Sequence, residues 1–277
     1  MQRFILDRSI FHGKNCDRLM SSRILDLSKR NEISISYTEI FLAETTQIGI
    51  SDYPKFRKIL PWLFSLNSVN WFTTPGPILM AELFANQRES TYWMLPLETI
   101  DAMISGSMMR IQKDNFQNSW EDIRNEMEEN YDLGSALRKE LLNQRAINSQ
   151  VGVSFDAFWE KNKFNLLNFF VKRHADPLVS YQIWTKRPEA CLFTKNYLKC
   201  LAASTYLPLA DHNLKTHRND TDDACQLSYL TWADVIVSND TKFMKSCFDL
   251  VFAGSGKEFM NLNDFLIHLE CLEKRLN

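Results

Sequence analysis

The sequence predicts an α/β fold: a small parallel sheet flanked by helices, interrupted by a mainly helical insertion. Three observations carry this expectation. Phe4-Ile5-Leu6 and Val235-Ile236-Val237-Ser238 are short apolar, β-branched runs of strand length, too short for helices. Glu32-Ile33-Ser34-Ile35-Ser36 alternates polar and apolar residues with the period of a strand. Between the first and second strands lie about 25 residues with Leu19, Met20, Ile24, Leu25 and Leu27 at helical spacing. That is the length of a crossover connection, so the two strands are expected to run parallel.

After the second strand, Ser36-Tyr37-Thr38-Glu39 fits a capping box, with a helix starting there and running through Ile40, Phe41 and Leu42. Residues 54–200 are mostly helical in pattern. Phe56 to Phe64 is strongly apolar, and Thr73-Thr74-Pro75-Gly76-Pro77 is a breaker cluster ahead of a helix over Ile78 to Phe84. Residues 112–146 are charge-rich and read as a solvated helix face. Residues 154–174 place Phe155, Phe158, Trp159, Phe164, Leu167 and Phe170 at helical spacing, an amphipathic helix packed on the core. Asp220, Asp222 and Asp223 open a helix that continues through Ala233. The strand at Val235 follows, then a helix over 243–252, a short edge strand at Glu258-Phe259-Met260 and a last helix opened by Asn263-Asp264. Gly254-Ser255-Gly256-Lys257 lacks the spacing of a phosphate loop and reads as a turn. No linker composition bounds the middle of the chain. Residues 1–277 are therefore expected to form a single domain with a discontinuous core, about 1–50 and 200–277, and 55–200 as an insertion holding part of that core.

The net charge of −2 rules out a broadly basic nucleic-acid clamp, so any grip on nucleic acid must be local. The six cysteines form no Cys-x-x-Cys pair, which argues against zinc and for small buried thiols in a reducing compartment. No signal peptide and no membrane-spanning run of about 18 apolar residues is evident, so the expected address is the cytoplasm and no membrane partner is expected.

Four carboxylates stand out by position. Asp7 and Asp240 follow strands, and Glu39 and Asp223 lie in the first turns of helices. Functional groups of an open α/β sheet gather at the carboxyl ends of its strands, where all four acids can converge. Converged carboxylates repel one another, and a divalent cation relieves that repulsion. Oxygen-only ligands suit Mg²⁺ or Mn²⁺, and such an ion supports phosphodiester hydrolysis through a bound water. On the same reasoning, neutralising Asp7 would relieve crowding at little cost in stability.

Phe4-Ile5-Leu6-Asp7-Arg8-Ser9 resembles the opening motif of the PIN-domain nucleases. Ile35-Ser36-Tyr37-Thr38-Glu39-Ile40 is similar to their second motif, and Asn219-Asp220-Thr221-Asp222-Asp223-Ala224 to their third. Val235-Ile236-Val237-Ser238-Asn239-Asp240-Thr241-Lys242-Phe243 resembles the fourth, at the expected interval of 17 residues from Asp223 to Asp240. The resemblance covers roughly residues 1–50 and 200–270. It implies a metal-dependent endoribonuclease with Asp7, Glu39, Asp223 and Asp240 as catalytic ligands of Mg²⁺ or Mn²⁺. It also implies RNA, single-stranded or structured, as substrate, and a role as toxin or defence effector with an inhibitor protein of the antitoxin kind. Two departures stand beside it: 184 positions separate Glu39 from Asp223, and Asp222 is a neighbouring alternative ligand. Asp223 is preferred because it lies four residues after Asn219 and has Leu227 and Leu230 on the apolar face that follows; Asp220 and Asp222 read as caps or solvated neighbours.

Supporting roles fall to Ser238, in the metal's water shell or merely ending a strand, and to Arg8, as a salt-bridge partner or substrate contact. His212, His217, Lys215 and Arg218 form a basic stretch that reads as a solvated loop or a phosphate grip. The insertion is expected to gate access or form a homodimer. The rival reading is a catalytically inactive PIN-like binding or scaffold module. A phosphatase of the phosphoaspartyl kind is disfavoured, because Asp7 is followed by Arg8-Ser9 and not by a second Asp two positions on.

Overall fold

A computed structural model describes residues 1–38, 41, 45, 53–66, 69–73, 75–85, 153–171, 191–210 and 220–276. Five strands form one sheet: β1 Gln2–Leu6, β2 Ile33–Thr38, β3 Val69–Phe72, β4 Val235–Val237 and β5 Glu258–Met260. Their order is β3-β2-β1-β4-β5, and all four pairings are parallel. The registers Phe4 with Ile35 and Phe4 with Val235 fix β1 at the centre.

Helices cover both faces, as a parallel sheet requires. Side chains alternate along each strand, so Phe4, Leu6, Ile33, Ile35, Tyr37, Val235 and Val237 enter one core. That core is roofed by α1 Asn15–Met20, α2 Ile24–Lys29, α3 Tyr53–Ser65 and α9 Leu262–Leu276. Ile5, Phe72 and Ile236 enter the other core. It is roofed by α4 Pro75–Met80, α5 Phe155–Val171, α6 Leu192–Ala210, α7 Asp220–Gln226 and α8 Phe243–Phe252. The described part of the inserted segment is thus helical apart from β3, and its helices contribute to the two cores that flank the sheet.

The stretch 15–30 is helical as expected and is divided between α1 and α2. Several local expectations need correction. The cap after β2 is Thr38, whose Oγ1 accepts from Phe41 N at 3.0 Å, and Ser36 is a buried strand residue paired with Ile5 and Asn70. Helix α4 starts at Pro75, inside the expected breaker cluster, since proline suits a first helical turn; it continues as a π-turn, Ala81–Ala85. Asn261, not Asn263, caps α9 by accepting from Asp264 N. Five cysteines are buried as expected, but Cys271 is exposed. Gly254 and Gly256 adopt positive φ in a tight turn, as the sequence suggests. The charge-rich stretch 112–146 lies outside the described residues.

Candidate active site

β1, β2 and β3 step one way across the sheet, while β4 and β5 lie on the other side of β1. The direction of winding therefore reverses between β1 and β4. At such a switch point the loops leaving the two strands diverge and open a crevice at their carboxyl ends. Asp7 is the first residue after β1, and Ser238-Asn239-Asp240 directly follow β4.

The two loops are tied together. Asp7 N donates to Val237 O at 3.0 Å, extending the pairing of the strands past β1. Asp7 is only 5% exposed. Its Oδ2 accepts from Ser238 Oγ at 2.7 Å, from Ser9 N at 3.2 Å, and from Ser9 Oγ. Ser238 Oγ in turn accepts from Asp240 N at 3.1 Å and lies 3.1 Å from Ser9 Oγ. Asn239 N donates to Ser9 Oγ at 2.8 Å. Asn239 also reaches across to α9, accepting from Leu262 N at 3.2 Å. Ser238 is therefore neither a passive strand end nor a surface residue: it is fully buried and bridges Asp7 to Asp240. Ser9 and Asn239, present in the sequence motifs without a role, complete the bridge.

Asp240 has a second task. Its Oδ1 accepts from Lys242 N and Phe243 N at 3.1 and 3.0 Å, and its Oδ2 from Met244 N at 3.2 Å, so it caps α8. A carboxylate here also suits the positive end of the helix.

The third element is α7, whose first turn carries Asp220, Asp222 and Asp223. Burial pushes the Cys247 thiol of α8 well up, and Cys225, then Asp220, Asp240 and Asp223, add smaller electrostatic contributions. Asp220 is only 3% exposed, which corrects its reading as a solvated neighbour. Asp222 is half-buried, and desolvation raises its carboxyl to about 6; its charge acts on Tyr197 of α6 and on Cys225 of α7. Arg8 is half-buried in the 3₁₀ turn Arg8–Phe11. Glu39, His212, Lys215, His217, Arg218 and Asn219 lie outside the described residues.

The donor chemistry suits a hard divalent cation, because the acids offer only carboxylate oxygen. Asp7 is oriented for such a role: three donors fix its Oδ2, and its Oδ1 takes no hydrogen bond among the described residues. Among the described residues no three His, Cys, Asp or Glu side chains are grouped closely enough to hold an ion, so Asp7, Asp223 and Asp240 do not by themselves form such a group. No protein-family model, curated protein or solved structure matches this chain.

Proposed function

We propose that this protein is a divalent-metal-dependent endoribonuclease of the PIN type, cleaving RNA phosphodiesters at the crevice between β1 and β4. The observation that carries the reading is the Ser238 bridge. A buried hydroxyl binds the carboxylate after β1 and the backbone of the carboxylate after β4, at the reversal point of a parallel sheet. Functional groups of an open parallel sheet gather at that edge.

In this reading Asp7, Glu39, Asp223 and Asp240 hold the metal. Held there, Mg²⁺ or Mn²⁺ would supply Lewis-acid activation of a phosphate oxygen and of water. The chain's own contribution is rigidity. Ser9 and Ser238 clamp one oxygen of Asp7, and three amides of the Asp240 turn and α8 clamp both oxygens of Asp240, so neither carboxylate must reorganise when substrate binds. β2 ends at Thr38, which delivers the chain to the same sheet edge one residue before Glu39. A role as toxin or defence effector, an inhibitor protein, a homodimer and a cytoplasmic address rest on the sequence resemblance and composition. No helix among the described residues is long and apolar enough to cross a membrane.

The test is cleavage of end-labelled single-stranded RNA with Mg²⁺ or Mn²⁺. Product is expected from the wild type, with none in chelator and none from Asp7→Asn. Chelator-resistant cleavage, or full activity in Asp7→Asn, would refute the assignment. One observation favours the rival, a binding module that keeps its acids as caps: both oxygens of Asp240 are already engaged by helix amides. Absence of cleavage on any RNA, with tight RNA binding retained, selects that rival.

A further inference from the structure

We propose that Arg8, His12, Lys55 and Lys58 form a contact surface for the phosphate backbone of single-stranded RNA beside Asp7. The identity of the occupant rests on the nuclease reading; the surface itself stands on placement and charge.

The 3₁₀ turn Arg8–Phe11 leaves β1 directly after Asp7 and ends at His12, which is exposed. Helix α3 ends at Ser65, just before β3, and β3 runs parallel to β2. A helix inside a parallel crossover runs opposite to its strands, so the start of α3 lies at the carboxyl edge of the sheet, the edge of Asp7. Phe11 of the turn meets Trp62 of α3 edge-on, with ring centroids 6.4 Å apart, and this packing docks the two elements.

The first two turns of α3 hold Lys55, Arg57 and Lys58, and the helix contains no acid. Arg57 and Lys58 are exposed, and Lys55 is half-buried. The side chains are close enough to influence one another. The His12 ring is held below its ordinary value by partial desolvation and then by Arg8 and Lys55, against Asp7, which raises it. Lys55 and Lys58 also act on Cys16 of α1, where Asp17 opposes them. Among the described residues, a chain of net charge −2 thus places Arg8, Lys55, Arg57 and Lys58 toward the edge that carries Asp7. Local positive charge and the amino end of a helix attract phosphates, and such contacts position a strand without reading its sequence. An RNA laid across α3 toward the turn would bring a phosphodiester to Asp7.

The experiment is fluorescence anisotropy of a labelled oligo-uridine with the full chain in chelator, over a series of salt concentrations. Lys55→Glu/Lys58→Glu is expected to weaken binding at least tenfold at low salt. The slope of log affinity on log salt should become shallower by roughly 0.7 for each phosphate that the variant no longer neutralises. Lys274→Glu on α9 should change neither. If the double reversal unfolds the chain, Lys55→Gln/Lys58→Gln gives the same direction at smaller amplitude. Unchanged affinity and slope in the lysine variants, an equal loss in Lys274→Glu, or no binding by the wild type would each overturn the surface. Cleavage is scored separately with metal. A wild type that binds through this surface and cleaves nothing defeats the nuclease reading alone. One that cleaves RNA while the variants bind unchanged defeats the surface alone.

Discussion

Ser238 and Asp7 are 231 positions apart and share a hydrogen bond of 2.7 Å inside the protein. That bond joins the loops after β1 and β4, and the same hydroxyl accepts from Asp240 N. Ser238→Ala removes a donor from a buried carboxylate and an acceptor from a backbone amide. The expected cost is about 1–3 kcal/mol in urea denaturation, with a marked loss of cleavage. A variant as stable and active as the wild type would show that the bridge is incidental.

The same geometry revises the expectation for Asp7→Asn. Relief of crowding predicts almost no stability cost, but the Asp7 carboxylate is held by Ser9 and Ser238. An amide keeps one acceptor oxygen, loses the charge-assisted character of these bonds and presents an NH₂ group. We expect a loss of about 1 kcal/mol, read from the urea midpoint, together with loss of cleavage. A gain in stability would restore the crowding argument.

The folded sheet was legible wherever hydrophobic period and length agreed: β1, β2, β4 and β5 all match short runs identifiable in the sequence, and β5 is indeed an edge. β3 was not. Val69-Asn70-Trp71-Phe72 is four residues long with no alternation, and it gains its identity only by pairing with Ile35 to Thr38. The true cap at Thr38 was hidden for a related reason: Ser36 also fits the box, and only sheet pairing decides that the strand continues to Thr38. Asp7 and Asp240 stood out because each ends a strand. Ser9, Asn239 and the bridging role of Ser238 did not, because a hydroxyl's role depends on a partner more than two hundred positions away.

Asp240 separates structure from chemistry through two substitutions. Asp240→Ala removes all three hydrogen-bond acceptances at the first turn of α8 and should cost about 1–2 kcal/mol. Asp240→Asn keeps a capping oxygen and should cost less than half of that. If Asp240 is also a metal ligand, both variants lose cleavage despite their different stabilities. Cleavage that tracks stability, with Asp240→Asn near wild type, would leave Asp240 a cap only.

Gln226 ends α7 with 0% exposure, and among the described residues neither atom of its amide finds a hydrogen-bond partner. Burying an unpaired amide is unfavourable, and an apolar side chain of similar volume removes that cost. Gln226→Met is therefore expected to raise stability by about 1–2 kcal/mol, with a matching rise in melting temperature. A destabilised variant would mean that an internal water satisfies the amide.

Glu82 supplies a pH test away from the candidate site. Its carboxylate, 5% exposed, accepts from Phe193 N at 3.1 Å and from Thr194 N and Oγ1 at 2.7 Å each, capping the start of α6. Burial raises its carboxyl above the ordinary value, and the bonds from Thr194 and Phe193 offset only part of that rise. The sign follows from proton linkage. As pH rises, the unfolded chain releases this proton first, while the folded chain still holds it. Stability contributed by Glu82 is thus fully present below the ordinary glutamate range, declines as pH climbs through the raised folded value, and is flat above it. Wild type and Glu82→Gln should be compared by urea denaturation at several values from about pH 4 to 7. The wild type's stability relative to Glu82→Gln should fall across this interval. A relative stability that grows with pH would show that the donors at the start of α6 outweigh burial and hold the carboxylate ionised.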